Sequence, residues 1–175
     1  MAASPKNEML MDALEAAPSA VFILLWRATE NLEMAGWTGT VLAVAVLLGF
    51  PIFSLRFNPI LLGVNIHLAM VTPVIVCLYS AGVTHVAEVI EGKSYIAVLL
   101  TILATGCILT VYSPTGFLGA QGFPRAAVRG RSLIMLVGSA AAVVWGMIIS
   151  ASDGFIAVGL PIIGLFALRQ ALLKS

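Results

Sequence analysis

The chain has 175 residues, 61% of them hydrophobic and 10% charged, with a mean hydropathy of +1.08. A soluble domain has about a quarter of its residues charged, and several uncharged runs here exceed the ~20 residues a helix needs to cross a bilayer, so composition excludes a soluble core and predicts an integral membrane protein. A formal net charge of +1, with the bases scattered outside one loop, leaves a nucleic-acid partner no electrostatic footprint.

The predicted fold is all-α: a polytopic transmembrane helical bundle forming a single integral membrane domain over residues 1–175, with spans over 13–31, 35–55, 59–82, 95–114, 132–152 and 154–172. The N-terminus lacks the pattern of a cleaved signal, because Glu8, Asp12 and Glu15 precede its apolar run and Lys6 is the only base there. The first segment, 18-PSAVFILLW-26, is flanked by Glu15 and by Arg27, Glu30 and Glu33. It reads either as a short, tilted span or as a helix lying at the interface, so five spans is the alternative. Six spans place Lys6, Arg56, Arg125, Arg129, Arg131, Arg169 and Lys174 on one side and only Arg27 and Lys93 on the other. Bases collect on the cytoplasmic side of short loops, which predicts a multi-pass protein of the inner (cytoplasmic) membrane with both termini inside.

In the 59–82 span, the run 63-GVNIHLAMVTPVIV-76 puts Asn65 and His67 into an oily sequence, with His67 roughly 12 Å along a helix entered at Asn58-Pro59. Polar groups at that depth face partners or a wet cavity. One reading makes them packing glue, with Thr101, Thr105, Thr110 or the carbonyl freed by Pro73 as partners. The other makes Asn65 and His67 a proton-handling or ligand site. Cys77 and Cys107, both in apolar runs and without CxxC spacing, read as small hydrophobes. A bis-His haem would need His67 and His85, which lie roughly 27 Å apart on a continuous helix. No cofactor is expected. His85, Glu88 and Glu91 share a helical face, but so small a ligand set predicts a solvated helix end rather than a metal site.

The segment 115-TGFLGAQGFPRAAVRGRS-132 reads as a flexible linker carrying a cytoplasmic basic patch, Arg125, Arg129 and Arg131. Its functional reading is contact with anionic headgroups or a partner protein. After it, Gly138, Ala142, Gly146 and Ser150 recur every four residues and form a smooth stripe suited to close helix packing, within the chain or against a partner. Shorter matches are Gly39 with Ala43 and Ala45 with Gly49. Asp153 precedes Gly154 on a tight turn and suits capping of the last helix. No GxSxG, HExxH or phosphate-loop motif occurs, so no enzymatic activity is expected.

The proline-led run from Pro18 to Trp26-Arg27, the polar turn and long span after it, the amphipathic approach to 95–114, the basic linker and the closing helix pair together resemble the intracellular septation protein A family of small bacterial inner-membrane proteins. The chain departs from that family in having Trp26-Arg27 in place of a Tyr-Lys pair, and in the glycine-rich stretch at 115–123. The resemblance implies a non-enzymatic structural or interaction component of cell-envelope biogenesis or cell division, whose partners are the lipid bilayer and other membrane proteins or a second copy of itself. The competing expectations are a small transporter or channel with a midplane site at Asn65 and His67, and an accessory subunit of a membrane redox or photosynthetic complex.

Overall fold

The computed structural model describes residues 5–149 and 155–174, and among these the protein is all-helical. The first compact unit, ending at Glu91, contains α1 (Pro5–Thr29), α2 (Leu32–Ile52), α3 (Pro59–Ser80) and all but the last residue of the short α4 (Thr84–Gly92). The second, from Gly92, contains α5 (Ser94–Tyr112), α6 (Arg125–Ile148), a π-helical turn Phe155–Gly159 and α7 (Leu160–Lys174).

Five helical stretches of 19 to 24 residues are long and apolar enough to cross a membrane: Leu32–Ile52, Pro59–Ser80, Ser94–Tyr112, Arg125–Ile148 and Ile156–Lys174. At 1.5 Å per residue they reach ~29–36 Å, matching the ~30 Å hydrocarbon core. Large apolar side chains such as Leu48, Met70, Ile108 and Val137 lie exposed on them. That surface would be untenable in water and is ordinary in lipid. α1 has 25 residues and packs on both α2 and α3, so it is long enough to span. Charged residues, among them Asp12 and Arg27, lie on either side of its most apolar stretch.

The helix ends in the first unit follow from local chemistry. Asn31 caps α2 by accepting the Met34 N–H (2.9 Å), and Asn58 caps α3 by accepting the Ile60 N–H (3.2 Å), with Pro59 at the first helical position. Past the end of α3 at Ser80, Gly82 takes a positive φ of 75° that lets the Val83 N–H reach the Leu78 carbonyl at 2.9 Å. Helix approach depends on small residues. A side chain on Gly36 would meet Thr72 Oγ1 at 2.7 Å and one on Gly39 would meet Phe22 at 3.2 Å. In lipid, where apolar association has no hydrophobic drive, such close contacts supply the cohesion. Thr40, also buried, adds a hydrogen bond to the Leu68 carbonyl at 2.9 Å.

In the second unit α6 begins at Arg125, seven residues before the predicted 132. Pro124 supplies the start, with φ −58° and ψ 143° leading into the helix. Arg125, Arg129 and Arg131 therefore ride on helical turns rather than on a linker. The stretch preceding them is not a flexible connection either. Phe117 and Leu118 are fully buried and Ala120 nearly so, making 113–124 a folded wedge packed into its own unit. Cohesion there is again close packing, with Val98, Leu99, Ile102, Met135, Val143 and Leu165 forming the buried apolar interior. Ser150 and Asp153, expected to close the small-residue stripe and to cap the last helix, lie outside the described residues.

Candidate functional site

The deepest polar cluster of the first unit centres on a residue that sequence reasoning treated as a flank. Glu15, on α1, is 1% exposed. Its carboxylate Oε2 accepts the Asn58 N–H at 2.8 Å, directly at the start of α3. A carboxyl oxygen there meets the positive end of the α3 dipole. About two helical turns further along α3, Asn65 is also 1% exposed and donates from Nδ2 to the Glu15 carbonyl at 2.9 Å. Asn58 and Asn65 thus tie α3 to α1 at both the carboxylate and the backbone of one residue. Asn65 Oδ1 and Asn58 Nδ2 are buried and have no hydrogen-bond partner.

His67 is not part of this cluster. Two positions on a helix differ by about 200° of rotation, so with Asn65 turned towards α1, His67 points away from it, and it is half-buried rather than enclosed. The pair read together in the sequence is therefore split between two faces of α3. The threonines proposed as partners bond within their own helix: Thr101 to Ala97 O at 2.8 Å and Thr110 to Gly106 O at 2.7 Å. Thr105 is buried. Among the described residues no group of His, Cys, Asp and Glu could hold a metal ion, and Cys77 and Cys107 are exposed free thiols.

In the second unit the stripe at Gly138, Ala142 and Gly146 packs inside the unit. A side chain at Gly138 would meet Leu168 of α7 at 2.7 Å, and one at Gly146 would meet Leu99 of α5 at 3.0 Å. Ala142 is buried between them. Beside the contact, a groove of about 340 Å³ runs between α6 and α7, floored by Gly138, Ala141, Ala142 and Gly164 and walled by Trp145 and Leu165. The Trp145 indole donates to the Ile156 carbonyl at 3.3 Å, pinning the π-helical turn that leads to Pro161.

The wedge is held by three contacts. Phe117 sits on Gly106 of α5, where a side chain would come within 2.6 Å of the ring. Gly116, at φ +57°, lies so close to Ser132 and Val128 of α6 that a side chain there would be both strained and obstructed. The Leu118 carbonyl accepts Arg169 Nε of α7 at 2.9 Å, and its N–H reaches Ser132 Oγ at 3.4 Å. The three arginines divide: Arg131 places its guanidinium 4.4 Å over the Phe123 ring, a cation–π contact. Arg125 and Arg129 stay exposed on another face of α6. No protein-family model matches the chain, and neither a curated protein nor a solved structure matches it.

Proposed function

We propose that this chain is a non-enzymatic, multi-pass inner-membrane protein that acts as a structural or interaction component of cell-envelope biogenesis or cell division, with both termini cytoplasmic. The observation that carries the interaction role is the uneven cover of the spans. The last stretch, Ile156–Lys174, buries 11% of its apolar window, whereas the other four bury 28–33%. That sparsely covered helix borders the groove beside the α6–α7 contact, where the small residues Ala141 and Gly164 are exposed, a surface on which a second membrane helix could approach closely. The clustering of bases at one set of helix ends supports the orientation. The resemblance to the septation protein A family supports the cellular setting. A photo-crosslinker replacing Ile163, which is 57% exposed on α7, should capture a neighbouring membrane protein or a second copy in native membranes. Capture of lipid alone would refute the reading.

A second reading, a small transporter or channel, draws support from the buried Glu15–Asn58–Asn65 cluster and its unpartnered Asn65 Oδ1. Its polar site would centre on Glu15 and Asn65, with His67 on a different helix face. Reconstituted vesicles decide it: a pH-dependent flux lost in Asn65→Ala, with helical content intact, would favour transport over the interaction role.

A further inference from the structure

A recess of about 240 Å³ lies where α5 ends and α6 begins, lined by Tyr112, Ser113 and Pro114 on one side and Arg125, Val128 and Arg129 on the other. Arg125 and Arg129 are one turn apart and share a face of α6. Among the described residues neither guanidinium has a hydrogen-bond or ion-pair partner, and the sequence has no acid between Glu91 and Asp153 to neutralise them. The first turn of α6 follows Pro124 without a side-chain cap, so its N–H groups add partial positive charge. The carbonyl end of α5 opposes with partial negative charge. A helix end amounts to about half a charge, so the two ends roughly cancel and two full positive charges remain.

The location selects the anion. α5 and α6 are both long and apolar enough to span, so their joined ends mark the membrane boundary. Tyr112 is 82% exposed there, the position in which an aromatic ring settles among headgroups. Beside the arginines, Val128 and Pro114 offer an apolar wall to glycerol and the upper acyl chain. We propose that this recess binds the phosphate of an anionic phospholipid, gripped by Arg125 and Arg129. Guanidinium matches a phosphate with two parallel hydrogen bonds. The inference requires only that α5 and α6 cross the bilayer, and it holds whether or not the chain acts as an interaction component.

The test is native mass spectrometry of the full chain titrated with phosphatidylglycerol or phosphatidylcholine. Wild type should retain phosphatidylglycerol preferentially. Arg125→Gln and Arg129→Gln should each weaken its retention roughly fivefold and the double variant roughly 30-fold, with helical content unchanged because both side chains are exposed. Replacing both by lysine should recover part of the loss, and Arg56→Gln in the first unit should change nothing. Equal retention of the two lipids, or a double glutamine variant that binds like wild type, would overturn the proposal. Displacement of phosphatidylglycerol by millimolar inorganic phosphate would reassign the recess to a free anion and overturn the lipid assignment.

Discussion

Substituting Gly106 by alanine tests whether 113–124 is a folded wedge. A Cβ at Gly106 would stand 2.6 Å from Phe117 Cδ1 and Cε1 and 2.9 Å from Cγ, whereas carbon atoms pack comfortably at about 3.5–4.0 Å. The ring must retreat by about 1 Å. It has no free space, since Phe117 is 0% exposed, and it pulls on Leu118, whose carbonyl is held by Arg169. Overpacking of this kind costs about 1–3 kcal/mol, while replacing a mid-helix glycine by alanine returns about 1 kcal/mol. The net expectation is a loss of up to about 2 kcal/mol, despite the gain in helix propensity. Thermal unfolding in detergent, followed by circular dichroism, reads it out. Gly49→Ala, where a Cβ meets nothing within 4 Å, is the control and should be neutral or stabilising. Adding Phe117→Leu to Gly106→Ala should restore part of the loss, because the smaller side chain vacates the clash. Gly106→Ala more stable than wild type, with no coupling to Phe117, would refute the packing of the wedge on α5.

Asn65→Ala should destabilise the first unit by about 1–2 kcal/mol, the loss of one buried hydrogen bond plus packing, whereas His67→Ala should cost less. Denaturation of the two variants in mixed micelles ranks them, and the reverse order would displace Asn65 from the α1–α3 contact. Arg169→Met removes the charge-assisted bond to the Leu118 carbonyl, worth about 1.5–3 kcal/mol, and should speed tryptic cleavage after Arg125 and Arg129 as the wedge loosens. An unchanged cleavage rate would contradict that clamp. Thr40→Val, which keeps the shape but removes the bond to Leu68 O, should cost about 0.6 kcal/mol on the scale of interhelical hydrogen bonds in membranes.

The spans were legible because crossing lipid requires long apolar helices, and the boundaries of α2, α3 and α5 fall within three residues of those predicted. Asn58-Pro59 marked the start of α3 by chemistry alone. The start of α6 was missed because Arg125, Arg129 and Arg131 made its first turns look like loop, although Pro124 was the available signal. Glycine content made 115–123 look flexible. Those glycines instead permit backbone approach at Gly116 and the turns around it, while Phe117 and Leu118 supply the buried anchor. Glu15 was hidden for a different reason. A carboxylate beside an apolar run reads as a solvated flank, and only the tertiary meeting of α1 with the cap of α3 places it in the interior. The separation of Asn65 from His67, by contrast, follows from helix geometry and was recoverable from their spacing of two residues.

The most direct test of the membrane topology is labelling of single cysteines in intact cells, with Cys77 and Cys107 replaced. Gln121→Cys lies on the wedge at the arginine-bearing end and Glu88→Cys on α4, both at exposed positions. An impermeant thiol reagent should label position 88 from outside, and position 121 only after the membrane is opened. Labelling of position 121 in sealed cells, with position 88 protected, would contradict the orientation, and equal labelling of both would contradict a helix crossing the bilayer between them.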